Sequence, residues 1–247
     1  MAEATSDYPG DELTLFAEAK RWKRYLASLL HPYLGQRVLE VGAGLGANTR
    51  ALCSDAIKRW VCLEPDRQMA ESLEQAIVDR TLPGACEVRW GGIDSTPPGD
   101  SFDTVLYIDV LEHILDDAGE LEQARKKLDE GGHLVVVAPA HDWLMTPFDE
   151  RIGHHRRYSR RSLAAAVPGG FDRVSLRYID SVGLIASLAN RLLLRQSMPT
   201  PSQIATWDRL LVPLSRGLAD PLLVGQLGKS VMGVWSRSSS ATGPLSG

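Results

Sequence analysis

Along the chain, short apolar runs of strand type alternate with segments whose apolar residues recur at helical spacing. RVLEV (37–41), RWVCLE (59–64), ACEVRW (85–90), FDTVLYI (102–108) and HLVVVAP (133–139) read as strands, and the last is apolar enough for the centre of a parallel sheet. Between them, 48–53 reads as a helix. A further helix follows Pro65, with Met69, Leu73, Ala76 and Ile77 on one face. Leu111, Ile114, Leu115, Ala118 and Leu121 form one stripe, which predicts a single helix ending before Gly131-Gly132. Ahead of the first strand, 11–31 has helix-like spacing through Leu13, Phe16, Trp22, Tyr25, Leu26 and Leu29. Beyond strand five come an irregular polar stretch (140–158), a helix at 159–167, and FDRVSLRYI (171–179), which alternates like a strand. A Pro-interrupted helical segment (182–224) and a closing strand, SVMGVWS (230–236), complete the pattern.

Strands alternating with helices at this pitch predict an α/β fold, a doubly wound Rossmann-like sheet of seven mostly parallel strands. The expected organisation is an N-terminal helical cap (1–36), one domain (37–237) with a helical insertion at 182–224, and a flexible tail (238–247). At 247 residues and 44% hydrophobic content, the chain can bury one substantial core. A net charge of -4 gives no overall attraction for nucleic acid, so the expected partner is a small molecule. Cys53, Cys62 and Cys86 fit neither a metal spacing nor a disulfide framework, which points to reduced thiols and a cytoplasmic protein. The polar, acidic N-terminus lacks signal-peptide regions, and SVGLIASLANRLLLRQ is too charged to span a bilayer. The apolar excess of 182–224 predicts a lid over a pocket, a homodimer interface, or both.

Candidate chemistry begins at VLEVGAGLGANT (38–49). Gly42, Gly44 and Gly46 let the backbone turn sharply and approach a ligand at the carboxyl end of strand one, where open α/β sheets bind ligands. Glu64, about 20 residues on, ends strand two, where a carboxylate can accept both hydroxyls of a ribose. Gly42-x-Gly44-x-x-Ala47 is a passable dinucleotide fingerprint, so NAD and S-adenosylmethionine (SAM) both remain open on the glycines alone. Glu40 separates them: it would repel a pyrophosphate and suits the ammonium of a methionine moiety.

VLEVGAGLGANT, VCLEPDRQM, GGIDSTPPGDSFDTVLYIDVLEHI and GGHLVVVAP resemble, in order and spacing, the successive motifs of class I SAM-dependent methyltransferases across roughly residues 35–237. The resemblance implies an antiparallel last strand and SAM as cofactor. It assigns Glu40, Gly42, Ala43, Gly44, Gly46 and Asn48 to the methionine end, and Glu64 with Pro65 to the ribose. Gly92, Ile93 and Asp94 then meet the adenine, and Ile108, Asp109 and Val110 line the cleft. The stretch 141–161 carries Asp149, Gly153, His154, Arg156, Arg157 and Tyr158, which resemble a D…GHxRRY signature of a subset of these enzymes.

Methyl transfer needs alignment and, for a protonated nucleophile, a base, but no metal. His113, His154, His155 and Tyr158 are the catalytic candidates, with a His–Tyr pair as base or orienter. Arg156 and Arg157 are read as pinning the loop to Asp149 or Asp142. Asp109 and Glu112 are read as acids at a helix N-terminus rather than metal ligands. Trp22, Tyr25, Trp143 and Phe148 are candidates for the acceptor wall. Three functions stay open: methylation of a small aromatic or heteroaromatic secondary metabolite (an indole carbon, for example), methylation of a glycan or lipid-linked saccharide, and SAM binding without catalysis.

Overall fold

The computed structural model describes residues 18–189 and 200–239. Seven strands form one sheet in the order β3-β2-β1-β4-β5-β7-β6. They are β1 (Arg37–Val41), β2 (Arg59–Glu64), β3 (Cys86–Trp90), β4 (Phe102–Ile108), β5 (Leu128–Pro139), β6 (Phe171–Ile179) and β7 (Ser230–Arg237). β1 to β5 run parallel, and β7 lies antiparallel between β5 and β6. The strand order reverses between β1 and β4, which is where such sheets open a ligand crevice.

Two apolar layers cover the sheet. On one face, Val38, Trp60, Cys62, Leu106, Val135 and Val234 meet α1 (Lys20–Leu30), α2 (Ala47–Leu52) and α3 (Arg67–Val78). On the other, Leu39, Val61, Val105, Val136 and Trp235 meet α4 (Asp117–Lys127) and α6 (Arg160–Ala166). The loop after β5 carries a short α5 (Pro147–Arg151). After β6 come α7 (Ser181–Ala189) and α8 (Pro201–Thr206), and α8 continues through alternating π and α turns to Leu223. The three cysteines are buried free thiols. No helix among the described residues is long and apolar enough to cross a membrane.

The single helix expected from Leu111 to Leu121 is instead two elements. Leu111–His113 is one 3-10 turn, and α4 starts at Asp117, where the Asp116 side chain accepts the Gly119 N–H at 3.0 Å. Leu111 and Leu121 share a core from separate elements, whereas Leu115 is 74% exposed. Strand five begins earlier than expected, at Leu128. The tail from 240, positions 11–17 of the first helix and the 190–199 part of the insertion lie outside the described residues.

Candidate functional site

The backbone at Gly42, Gly44 and Gly46 is left-handed (φ 68°, 56° and 73°). A Cβ on Gly42 would also stand 2.6 Å from a Val110 methyl, so no side chain fits where β1 meets the segment after β4. This turn aims the Gly44 N–H at Glu64 Oε2 (2.7 Å), and Asp66 donates its N–H to Oε1 at 2.9 Å. Glu64 is thus fixed at the tip of β2. Burial pushes its carboxyl up, and the two backbone N–H bonds oppose that.

Glu40 is buried beneath the loop. Its Oε2 accepts Thr49 Oγ1 (2.6 Å) and Trp60 Nε1 (2.8 Å), while Oε1 has no hydrogen-bond partner. Burial pushes its carboxyl up to about 7. Lys23 of α1 donates to Asn48 Oδ1 at 2.7 Å and feels both Glu40 and Asp109. Sequence reading missed Lys23. Its position on α1 reads as a solvated face, and only the packing of α1 against α2 turns it inward.

Asp109 ends β4 in a left-handed conformation (φ 55°), with its N–H bonded to Val137 O at 2.9 Å. The surrounding protein pushes its carboxyl up by desolvation, and the charges of Lys23, His154, Lys229 and Arg157 oppose that. Asp94 sits exposed on the Ile93–Ser95 turn after β3. The expected cofactor residues therefore cluster at the carboxyl ends of β1 to β4, with Gly92 and Pro65 on the β3 and β2 side and Ile108 with Val110 on the other.

Of the four expected catalytic residues, three gather and one departs. The His113 and His154 rings meet edge-on at 4.5 Å, and His155 is exposed with its N–H on Glu112 O. Burial, then the neighbouring His154 and His155, push His113 down to about 4, so it is neutral at pH 7. Tyr158 is in the core: its hydroxyl donates to Asp117 Oδ2 (2.7 Å) and Leu111 O (3.3 Å), and burial drives its pKa upward. The His–Tyr pair does not form.

Arg157 meets Asp149 and Asp142 as expected, whereas Arg156 reaches neither and turns to Asp117 and the Leu115 carbonyl. Arg157 Nη2 reaches both oxygens of Asp149 (2.8 and 2.9 Å), its backbone N–H donates to Asp142, and Arg156 pairs with Asp117 at 2.7 Å. Glu112 departs from the helix-terminus reading, because it lies on the isolated 3-10 turn and is fully buried.

Trp22 and Tyr25 do not form an open acceptor wall. Trp22 packs 5.4 Å from the Trp207 ring, and Tyr25 hydrogen-bonds Asp220, so both are sealed between α1 and the insertion. Trp143, half exposed, lies 5.4 Å from the His141 ring, and Phe148 is half-buried on α5.

Residues 39–134 match the family described as a methyltransferase domain. A tRNA U34 carboxymethyltransferase of Shewanella amazonensis is 32% identical over 135 residues, 52% of this chain and 40% of that protein, so the chain spans less than half its length. Among solved structures, geranyl diphosphate methyltransferase in complex with SAM superposes with a TM-score of 0.63 at 13% identity, covering 95% of this chain and 93% of that one. The [4+2]-cyclase SpnF superposes at 0.61 and 14% identity over 88% and 82%. These likenesses speak to the fold alone. Gly42 to Gly46, Glu40 and Glu64 fall within the matched segment. The segment 39–134 is thus similar to a methyltransferase domain, and the chain as a whole is built on the Rossmann-like methyltransferase fold.

Proposed function

We propose that the protein transfers the methyl group of SAM to a small aromatic or heteroaromatic acceptor. The observation that carries the cofactor end is the buried, unpartnered Oε1 of Glu40, an acceptor that the ammonium of a methionine moiety would satisfy. Glu64 keeps lone pairs for the ribose hydroxyls beyond its two backbone bonds, and the exposed Asp94 on the turn after β3 would accept the adenine amine. Bound there, SAM supplies an already activated methyl electrophile.

The chain then has to align the acceptor and hold a proton. The acceptor's lone pair forms the new bond to the methyl carbon, the S–CH3 bond breaks toward sulfur, and S-adenosylhomocysteine (SAH) leaves. The acceptor's proton passes to His155, whose ring is exposed on the loop after β5. Support for an aromatic acceptor is the half-exposed Trp143 beside His141 and the half-buried Phe148 on that same loop.

Incubation with methyl-labelled SAM and an extract of the source organism tests this, and a labelled aromatic metabolite is expected. Label in a glycan, a lipid-linked saccharide or an RNA would replace the acceptor class. No label, with SAH binding intact, would leave a SAM-binding protein without catalysis. Glu64→Ala should weaken SAH binding by roughly 10- to 100-fold in calorimetry, from loss of hydrogen bonds to a charged group. Unchanged affinity would remove Glu64 from the ribose site.

A further inference from the structure

The side chain of Glu112 is left unexplained by methyl transfer. It is fully buried on the turn between β4 and α4, and neither carboxylate oxygen has a hydrogen-bond partner. A carboxylate in that condition is costly unless something positive meets it. Arg157 does not, because its guanidinium is spent on Asp149 and the Ala140 carbonyl.

What does face Glu112 is a pair of imidazoles. His154 Nε2 lies 3.8 Å from Glu112 Oε1, and His113 stands edge-on to His154. One ligand atom from each of Glu112, His113 and His154 falls within 4.8 Å of the others. Ligands about 2.1 Å from one ion, at tetrahedral or octahedral angles, are about 3.0–3.4 Å apart. Small side-chain rotations close that gap.

The other nitrogen of His154 is buried without a hydrogen-bond partner and faces a carboxylate. Its Nδ1 lies 3.3 Å from Asp149 Oδ1, and Asp149 is itself held by Arg157 and by Thr146 Oγ1 (2.7 Å). A carboxylate behind one imidazole nitrogen fixes the tautomer that presents the other nitrogen to a metal. Gly153, left-handed at φ 86°, brings the loop past His113, so that a Cβ there would stand 3.6 Å from Nδ1.

We propose that Glu112, His113 and His154 bind one divalent transition-metal ion at the edge of the cleft, with Asp149 as the positioning residue behind His154. Two imidazoles and one carboxylate suit manganese, cobalt or zinc better than calcium or magnesium. Three protein ligands leave coordination positions open, as in catalytic rather than closed structural sites. Glu112 is sealed while His113 and His154 are only partly buried, so any open coordination position lies on the histidine side. A role in methyl transfer rests on the cofactor reading above, but the ion site itself does not.

The test is a Co2+ titration of chelator-treated wild-type protein, read by visible absorption, with Mn2+ and Zn2+ uptake measured by elemental analysis after dialysis. One equivalent is expected, with ligand-field bands showing nitrogen and oxygen coordination. Glu112→Gln and His154→Ala should each weaken Co2+ binding at least tenfold and leave SAH affinity within about twofold. Asp149→Asn should weaken it less while altering the bands, an effect that lost folding alone would not give. Wild-type protein that takes up none of the three ions overturns the proposal, as does uptake unchanged in Glu112→Gln and His154→Ala. Metal uptake without SAH binding would instead sink the cofactor reading and leave the ion site standing.

Discussion

Glu40 pays for its place under the glycine loop in protonation. Its folded carboxyl titrates at about 7, against 4.5 for the free side chain, because burial outweighs the bonds from Thr49 and Trp60 and the pull of Lys23. The stability linked to this group is therefore fully present below the unfolded value and is lost as pH rises through about 7, by roughly 3 kcal/mol over the window. Ligand binding runs the other way. An ammonium prefers the carboxylate, so SAH affinity should fall below pH 7, by up to tenfold per unit. Calorimetry from pH 5.5 to 8.5 checks this, with Glu40→Gln expected to flatten the profile. A flat wild-type profile would remove Glu40 from the methionine end. Glu40 and Glu64 are legible in the sequence because each sits at a fixed offset from a strand end. Lys23 and Tyr158 are not. Their residue types announce chemistry, but whether a side chain reaches a cleft or a core is decided by packing between elements far apart in the chain.

Three strands end alike. Asp109, His141 and Asp180, after β4, β5 and β6, are all non-glycine residues with positive φ (55°, 68° and 61°). Left-handed non-glycine positions of this kind cost of order 1–3 kcal/mol each, so the surrounding loops must over-determine them. After β5, Asp149 supplies much of that. It caps α5 through Thr146, meets Arg157 with both oxygens, and is 3% exposed. Removing one partner of a buried pair strands the other, so Asp149→Ala and Arg157→Ala should each cost about 3–5 kcal/mol. The double variant should cost less than the sum by about 0.5–3 kcal/mol. Urea unfolding of the four proteins measures the cycle, and additive costs would mean that the pair does not hold the loop. The pinning role was readable from the charges in the motif. The break between Leu111 and α4 was not, because two elements facing one core leave the same apolar stripe as one helix.

At the scale of the molecule, the N-terminal helix and the late insertion behave as one layer. Asp208 accepts the backbone N–H groups of Arg21 and Trp22 (3.2 and 2.8 Å), capping α1 from 187 and 186 residues away. Asp220 joins Tyr25 to the backbone of Asp180 and Ser181. The sequence shows that the insertion is apolar, but not that its inner side closes over α1, since no local pattern encodes so distant a contact. The outer side keeps its own stripe: Leu210, Leu214, Leu218 and Leu222, four residues apart along the mixed α and π turns, are 46–71% exposed. Exposed apolar rows of this kind are costly in water unless a partner covers them. The homodimer expected from the composition of 182–224 would use this stripe, pairing it with its own copy across a two-fold axis. Light scattering after gel filtration at tens of micromolar should then give a dimer. Leu214→Asp combined with Leu218→Asp should give a monomer that binds SAH as the wild type does, because neither residue reaches the cleft. A monomeric wild type at those concentrations would end the dimer proposal without touching the cofactor site, since the stripe and the glycine loop lie on different elements.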